Sequence, residues 1–342
     1  MITVGIKALN EEAAIGEALR CAIAAVAPFG GKVILADSGS TDRTVDIARS
    51  YPVKIIQFKN TAERCCGAAA QLAFQTVDTE FFYLQDGDMT LNAAFLDAAL
   101  ALLRQSPGLA AVGGHVVERR GDSEEFQIRI RSQHAEPHRR PGIVDRLDGG
   151  GLYRVEAVRQ AGFFADRNLH SFEEFDLAAR LHAAGWQLAR IDMAAVDHFG
   201  HVMGGYRLMW RRVRMGYTAG AGEVLRGSIG QAHFHFVLQQ LRHLRHSAAV
   251  IAWWLMLCTT VFVTPYLTAA LFLAPLALLT IRRGGLQLGL YSLAYWNAAA
   301  IGLVSGAFAS RVNPRTPIEI VDLSAAGTHH KTVEHEAALQ LL

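Results

Sequence analysis

Two aspartates, Asp86 and Asp88, stand two residues apart in YLQDGDMT, directly after the apolar run Phe81-Phe82-Tyr83-Leu84. Carboxylates this close raise each other's proton affinity unless positive charge or solvent intervenes. A divalent cation on oxygen ligands would satisfy them, and so would solvation in a surface turn. A second acid, Asp37, closes the apolar run 32–36 and begins DSGSTDRT. Ser38, Gly39 and Ser40 suit a tight turn, and Ser40 or Thr41 can cap a helix with Asp42 in its first turn. Asp37 is needed for none of this, so it is either a solvated turn residue or an acceptor for a base N–H. A third group, SFEEFDLAARL, brings Glu173, Glu174 and Asp176 together. Such a carboxylate can take a proton from a hydroxyl nucleophile. The same residues can also just start a helix, because Ser171-x-x-Glu174 reads as a capping box. His198 and His201 in DHFGH are imidazoles that can complete a metal site, although Mg²⁺ prefers oxygen.

These groups need elements to hold them. Residues 2–6, 32–36, 53–58 and 81–84 are short β-rich runs, and helical periodicity fills 10–26, 41–49 and 62–76 between them. Strands alternating with helices of this length predict right-handed βαβ units and a mostly parallel sheet, an α/β class. Asn10, Asp37 and Asp86 then each lie just past a strand's carboxyl end, where such sheets bind ligands. A helix over 92–104, a strand over 110–117, a helix over 171–184 and edge strands over 187–191 and 194–198 complete the first 200 residues. The polar stretch 119–148 reads as a mobile or irregular segment over the rim. Gly149-Gly150-Gly151 permits close backbone approach, either to shape an acceptor site or to make a turn.

The motifs VGIKALNEE, ADSGSTDRT, ERCCGAAAQLA, YLQDGDM and SFEEFDLAARLHAAGW occur in order over about residues 1–200. Together they resemble the family 2 glycosyltransferases and imply the GT-A fold, a Rossmann-like mixed sheet. The resemblance implies that Asn10, Glu11 and Glu12 lie near the nucleotide and that Asp37 binds the base. It implies a basic residue in the third helix near the nucleotide, matched by Arg64, although Glu63-Arg64-Cys65 replaces the family's usual Ala-Arg-Asn. Asp86 and Asp88 match the DXD motif, which implies a divalent cation, Mg²⁺ or Mn²⁺, on a nucleotide-diphosphate sugar, with UDP favoured. His198 is the candidate third contact to metal or diphosphate. Glu174 matches the general base of an inverting transfer, with Glu in place of the usual Asp; Glu173 and Asp176 are its alternatives. The Gln-x-x-Arg-Trp signature of processive relatives is absent around Trp210-Arg211-Arg212, which favours single transfer.

Composition divides the chain again. Hydrophobic residues make up 51% of 342, and the excess lies after residue 246. A net charge of +2 gives no global field for nucleic acid. Four cysteines show no metal spacing and imply no disulfide framework. The sequence expectation is a GT-A domain over 1–202, a basic amphipathic interface segment over 203–246, transmembrane helices over 247–311 and a polar tail over 312–342. The opening residues carry no basic signal-peptide region, so the catalytic domain is expected in the cytosol of a multi-pass inner-membrane protein. Residues 247–281 hold no charge, beyond the roughly 20 that cross a bilayer. Whether they form one long span or a hairpin broken near Pro265 sets the count at two or three. Basic residues at 242–245 and Arg282-Arg283 favour the hairpin, whereas Arg311 and Arg315 favour an even count. A lipid-linked or saccharide acceptor follows from a site held near lipid. Two further readings use the same fold: a sugar-phosphate nucleotidyltransferase, whose glycine-rich first loop is missing from ALNEEAAIG, and a non-catalytic membrane scaffold.

Overall fold

The computed structural model describes residues 1–119, 136–200 and 204–324. His201, the middle of the 119–148 stretch and the end of the polar tail lie outside the described residues.

The chain begins as the alternation predicts: β1 (Ile2–Ala8), α1 (Ile15–Val26), β2 (Lys32–Asp37), α2 (Thr44–Ala48), β3 (Lys54–Phe58), α3 (Cys66–Phe74) and β4 (Phe81–Asp86). Next come β5 (Met89–Leu91), α4 (Ala93–Gln105), β6 (Leu109–Glu118), β7 (Gly142–Val144), β8 (Gly151–Arg154), α5 (Val155–Gln160), α6 (Glu173–Ala183) and β9 (Gln187–His198). The C-terminal part holds α7 (Gly205–Arg214), α8 (Gly220–Ser228), α9 (Phe234–Gln240), α10 (Arg242–Thr260), α11 (Pro265–Arg283), α12 (Leu286–Phe308) and β10 (Ile320–Asp322).

The strands form one mixed sheet in the order β10-β3-β2-β1-β4-β8-β6-β9-β5, with β7 on β9. β3, β2, β1 and β4 are parallel, the βαβ half of the fold. β8 inserts antiparallel between β4 and β6. Alternation along the strands feeds two cores. Val4, Ile6, Leu35 and Tyr83 pack under α1 and α4 on one face. Ile34, Ile56, Phe82 and Leu84 pack under α3, α5 and α6 on the other. Each strand buries both faces, as a sheet covered by helices on both sides requires.

The expected edge strands 187–191 and 194–198 are one continuous strand, β9, and it is interior, between β6 and β5. Its polar residues have partners there: Asp192 pairs with His115 at 2.8 Å and Asp197 with Arg119 at 2.9 Å. The single basic segment expected over 203–246 is three short helices, α7 to α9. Ala221, Val224, Val237 and Leu241 from this region pack on Leu169, Phe175 and Ala179 of the catalytic domain. The uncharged stretch does break at Pro265, which opens α11. Two helices, Pro265–Arg283 and Leu286–Phe308, are long and apolar enough to cross a membrane.

Candidate active site

The rim divides between two groups of loops. On one side, the β1–α1 and β2–α2 loops are stitched together by side chains. Asn10 sits in the left-handed region at φ 60°, and its Oδ1 accepts from Thr41 N at 2.8 Å. Asn10 N donates to Ser40 Oγ at 2.9 Å and Glu11 N to Thr44 Oγ1 at 2.8 Å. Glu12 N donates to Asp42 Oδ2 at 3.1 Å, and Glu12 Oε2 accepts from Arg43 N at 3.2 Å.

Asp37 corrects the sequence reading. It is fully buried, and it builds the turn that it had seemed not to need. Oδ2 accepts from Gly39 N and Ser40 N, each at 2.9 Å, and from Gln57 Nε2 at 2.7 Å; Oδ1 accepts from Ser40 Oγ at 2.5 Å. Three of these donors sit on Oδ2 and one on Oδ1, so the acceptor capacity left on the carboxylate is on Oδ1. Nor do Ser40 or Thr41 cap the next helix. α2 starts later than expected, and Asp42 instead accepts from Thr44 N at 2.9 Å, ahead of it. Arg64 precedes α3 rather than lying within it, and its exposed guanidinium approaches Gly39 of this turn.

On the other side, charge is crowded. Asp86, the last residue of β4, pairs with Lys7 Nζ at 3.0 Å, and the same Nζ donates to Glu173 Oε1 at 3.2 Å. Burial would lower the proton affinity of Lys7, but Asp86 and Glu173 outweigh it and hold the ammonium well above its usual range. Lys7 thus joins the aspartate motif to the start of α6, a link the sequence reading missed. The signal was available: a lysine inside the apolar strand ITVGIKA is buried only when paired. Asp88 Oδ2 lies 3.3 Å from His198 Nε2, and His198 Nδ1 is 2.6 Å from Glu118 Oε2. Burial lowers the imidazole's proton affinity, but the bonds to Asp88 and Glu118 overcome it and raise the pKa to about 9. Glu11 is pushed up to about 8, by burial first and then by Asp88, Asp86 and Asp42.

α6 carries the acidic trio. Its capping box does not form: Phe172 holds the N-cap position at φ 66°, and Ser171 Oγ donates to Tyr217 O at 2.8 Å. Glu174 reaches instead to the glycine turn, accepting from Gly149 N at 3.0 Å and Gly150 N at 2.9 Å. Gly149 and Gly150 adopt φ 73° and 97°, and a side chain on Gly150 would collide with Leu84 O, so glycine is required for this approach. Burial, then the Glu173 charge, raises Glu174 to about 7. Asp176 stands apart, in a buried pair with Arg180 at 2.8 Å, whose other nitrogens bond the carbonyls of Ala161, Phe163 and Phe164. It builds α6 into the domain and does not face Lys7, which corrects its candidacy as a base.

The structure therefore gathers Glu11, Asp86, Asp88, His198, Glu173 and Glu174 on one side of the rim, and Asn10, Glu12, Asp37 and Arg64 on the other. Among the described residues no three His, Cys, Asp or Glu side chains converge as a ready-made metal cage. The donor set still fits a hard cation, because Mg²⁺ and Mn²⁺ sites commonly use one or two carboxylates and take the remaining ligands from phosphate and water. The repulsion registered by Glu11 is the kind a cation relieves. A cavity of about 40 Å³ beside Met89, Gly149 and His198 is far too small for a nucleotide.

Comparison with known proteins agrees with this geometry. The profile of the family described as Glycosyl transferase family 2 matches residues 3–162. No curated protein matches the sequence. Among solved structures, the mannosyltransferase PcManGT from Pyrobaculum calidifontis, in complex with GDP-Man and Mn²⁺, is 20% identical. That match covers 89% of this chain and 86% of the other, with a TM-score of 0.61. Residues 1–349 of S. aureus TarS, in complex with UDP-GlcNAc, are 16% identical over 89% of this chain and 90% of that one, with a TM-score of 0.49. A longer S. aureus TarS structure is 16% identical over 64% of this chain, with a TM-score of 0.47, and only 39% of its length is spanned. The mixed sheet with its carboxylate-lined rim is the GT-A fold, and residues 3–162 of the chain match the family 2 glycosyltransferases.

Proposed function

We propose that this enzyme moves a hexosyl group, with inversion, from a nucleotide-diphosphate sugar to a lipid-linked or saccharide acceptor at the cytosolic face of the inner membrane, in glycolipid or polysaccharide synthesis. The observation that carries the reading is the Lys7 bridge, which ties Asp86 to the helix start bearing Glu173 and Glu174. Phosphate-side and acceptor-side carboxylates thereby share one rim. Glu174, fixed by two backbone N–H groups, takes the proton from the acceptor hydroxyl. The hydroxyl oxygen bonds to the anomeric carbon as the bond to the diphosphate oxygen breaks, and the nucleoside diphosphate leaves. Asp86 and Asp88, with His198 beside them, would hold a Mg²⁺ or Mn²⁺ ion. When bound, that ion supplies Lewis-acid neutralisation of the leaving diphosphate. Asn10, Glu11, Glu12 and Arg64 border the nucleotide, and Asp37 holds their loops in register and offers its remaining Oδ1 lone pair to the base. The Pyrobaculum neighbour was solved with a GDP-linked sugar, so UDP- and GDP-sugars both belong in the test.

Helices α10 to α12 carry arginines only at the start of α10 and the end of α11 and are otherwise uncharged, which supports membrane attachment. The test is thermal stabilisation of the detergent-solubilised chain across a panel of nucleotide-sugars, with Mg²⁺, with Mn²⁺ and with chelator. The reading expects one nucleotide-sugar to raise Tm by several degrees only with cation. Stabilisation by nucleoside triphosphate plus sugar phosphate instead would indicate nucleotidyl transfer, and no response to any of them would indicate a scaffold.

A further inference from the structure

By apolar length alone, the helices that enter the lipid are α11 and α12. We infer a different arrangement, which rests on the membrane-bound reading above: the hairpin of α10 and α11 is the inserted element, and α12 stays on the catalytic face, lying along the domain.

α12 has catalytic-side partners at both ends. Near its start, the Tyr291 ring packs edge-on to Tyr206, centroids 5.4 Å apart, on α7, which also carries Arg207, Arg211, Arg212 and Arg214. Near its end, a methyl group on Gly302 would collide with Thr218 O, and one on Gly306 with Ala219 O. Gly222 of α8 approaches Leu303 O just as closely. From Tyr291 to Gly306 is roughly 22 Å at 1.5 Å per residue, most of the roughly 30 Å hydrocarbon layer. A helix crossing that layer would meet the catalytic side at one end only. Just beyond α12, Arg311 pairs with Asp166 at 2.5 Å and Val312 N donates to Asn168 Oδ1 at 2.8 Å. Between these points α12 crosses the first half of α10, where Trp296 stacks on His246, centroids 5.1 Å apart, and Asn297 Oδ1 accepts from Trp254 Nε1 at 2.6 Å.

The hairpin has the opposite character. Its tip is apolar and open, with Phe262 90% and Tyr266 92% exposed. Its turn closes on its own backbone, and its arms are tied together, as lipid favours: Val263 N donates to Thr260 O at 3.0 Å, Thr264 N to Thr260 O at 2.9 Å, and Trp253 Nε1 to Leu271 O at 2.8 Å. Its base is basic. Arg242 and Arg245 open α10, Arg282 and Arg283 close α11, and all four charges act on His246. Each arm has 19 residues, about 28 Å of helix, and the part of α10 beyond Arg245 is about 22 Å, most of the roughly 30 Å hydrocarbon layer. An apolar prong with arginines at its foot suits a bilayer with anionic headgroups on the catalytic side. This arrangement places Arg282, Arg283, Arg311 and Arg315 on one side with an even number of crossings, which removes the conflict in the sequence signals.

The test uses the full chain in sealed right-side-out membrane vesicles, with its native cysteines replaced by alanine, and a membrane-impermeant maleimide. Leu286→Cys and Ser310→Cys should react only after the vesicles are opened, whereas Phe262→Cys should react from outside or remain shielded by lipid. Reaction of Leu286→Cys from outside overturns the proposal, as does reaction of Phe262→Cys from the catalytic side. The unsubstituted chain gives a second measurement: tryptic cuts after Arg282 or Arg283 should appear only once the vesicles are opened, and their appearance beforehand overturns it. Failure of the protein to sediment with membranes is a distinct result, which removes the membrane-bound reading itself and this inference with it.

Discussion

The two sides of the rim solve the burial of acid in opposite ways. Around Asp37, each carboxylate oxygen meets its own turn or Gln57, and the network closes on itself. Around Asp86 and Asp88, acids face one another across Lys7 and His198, and burial, reinforced by their charges, pushes Glu11 to about 8. Buried polar groups that are fully bonded set geometry; an acidic cluster under strain marks where external positive charge is wanted. The first side is scaffold for the nucleotide loops, and the second is where chemistry is expected.

Three experiments would break or sharpen that contrast. The largest effect should come from Asp88→Asn, which should cut transfer by about 10³-fold or more, the scale of losing a principal electrostatic stabiliser. Tm should hardly move, and wild-type turnover by the folded variant would remove the metal-site reading. Next, Glu174→Gln should cost about 10²- to 10⁴-fold in kcat, the usual range for general-base loss, with nucleotide-sugar affinity retained. Because Glu174 titrates at about 7, it is protonated and inactive as a base below that pH, so wild-type kcat should fall as pH drops through about 7. A profile that keeps this limb in Glu174→Gln would move the base to another residue, with Glu173 the nearest. The smallest effects belong to the scaffold side. Asp37→Ala strands buried N–H donors and should destabilise by about 1–3 kcal/mol. Gln57→Leu leaves Asp37 its turn donors and should cost less, about 1 kcal/mol by denaturant unfolding. If Gln57→Leu proved the costlier of the two, the idea of a self-closed network would fail.

Much of this was legible in local pattern. Period-2 apolar runs and helical spacing located the parallel strands, and the acids just past β2 and β4 did fall on one rim. What escaped was decided by partners distant in sequence. Lys7 finds Glu173, and Glu174 finds the turn at Gly149 and Gly150; Ser171 gives its hydroxyl to Tyr217 rather than to its own helix. A capping box is a local bargain, and the tertiary contact won. Asp37 is the exception, because Gly39 and Ser40 of its own turn supply three of its four donors and only Gln57 comes from the next strand. The interior place of β9 depends on its pairing with β5, β6 and β7. The helix break at Pro265 was readable from composition, but the course of α12 was not, since its apolar length is that of a span and only its contacts keep it at the domain.

The pairing of β10 with β3 also bears on how the protein is made. Ile320–Asp322 covers the outer strand of the parallel half, and Leu323 N donates to Ile55 O at 2.9 Å. A nascent chain therefore exposes the bare flank of β3, a template for wrong pairing, until residues 320–322 have left the ribosome. By then the apolar hairpin of α10 and α11 has already been synthesised, so this strand of the catalytic sheet is added only after the hairpin has emerged.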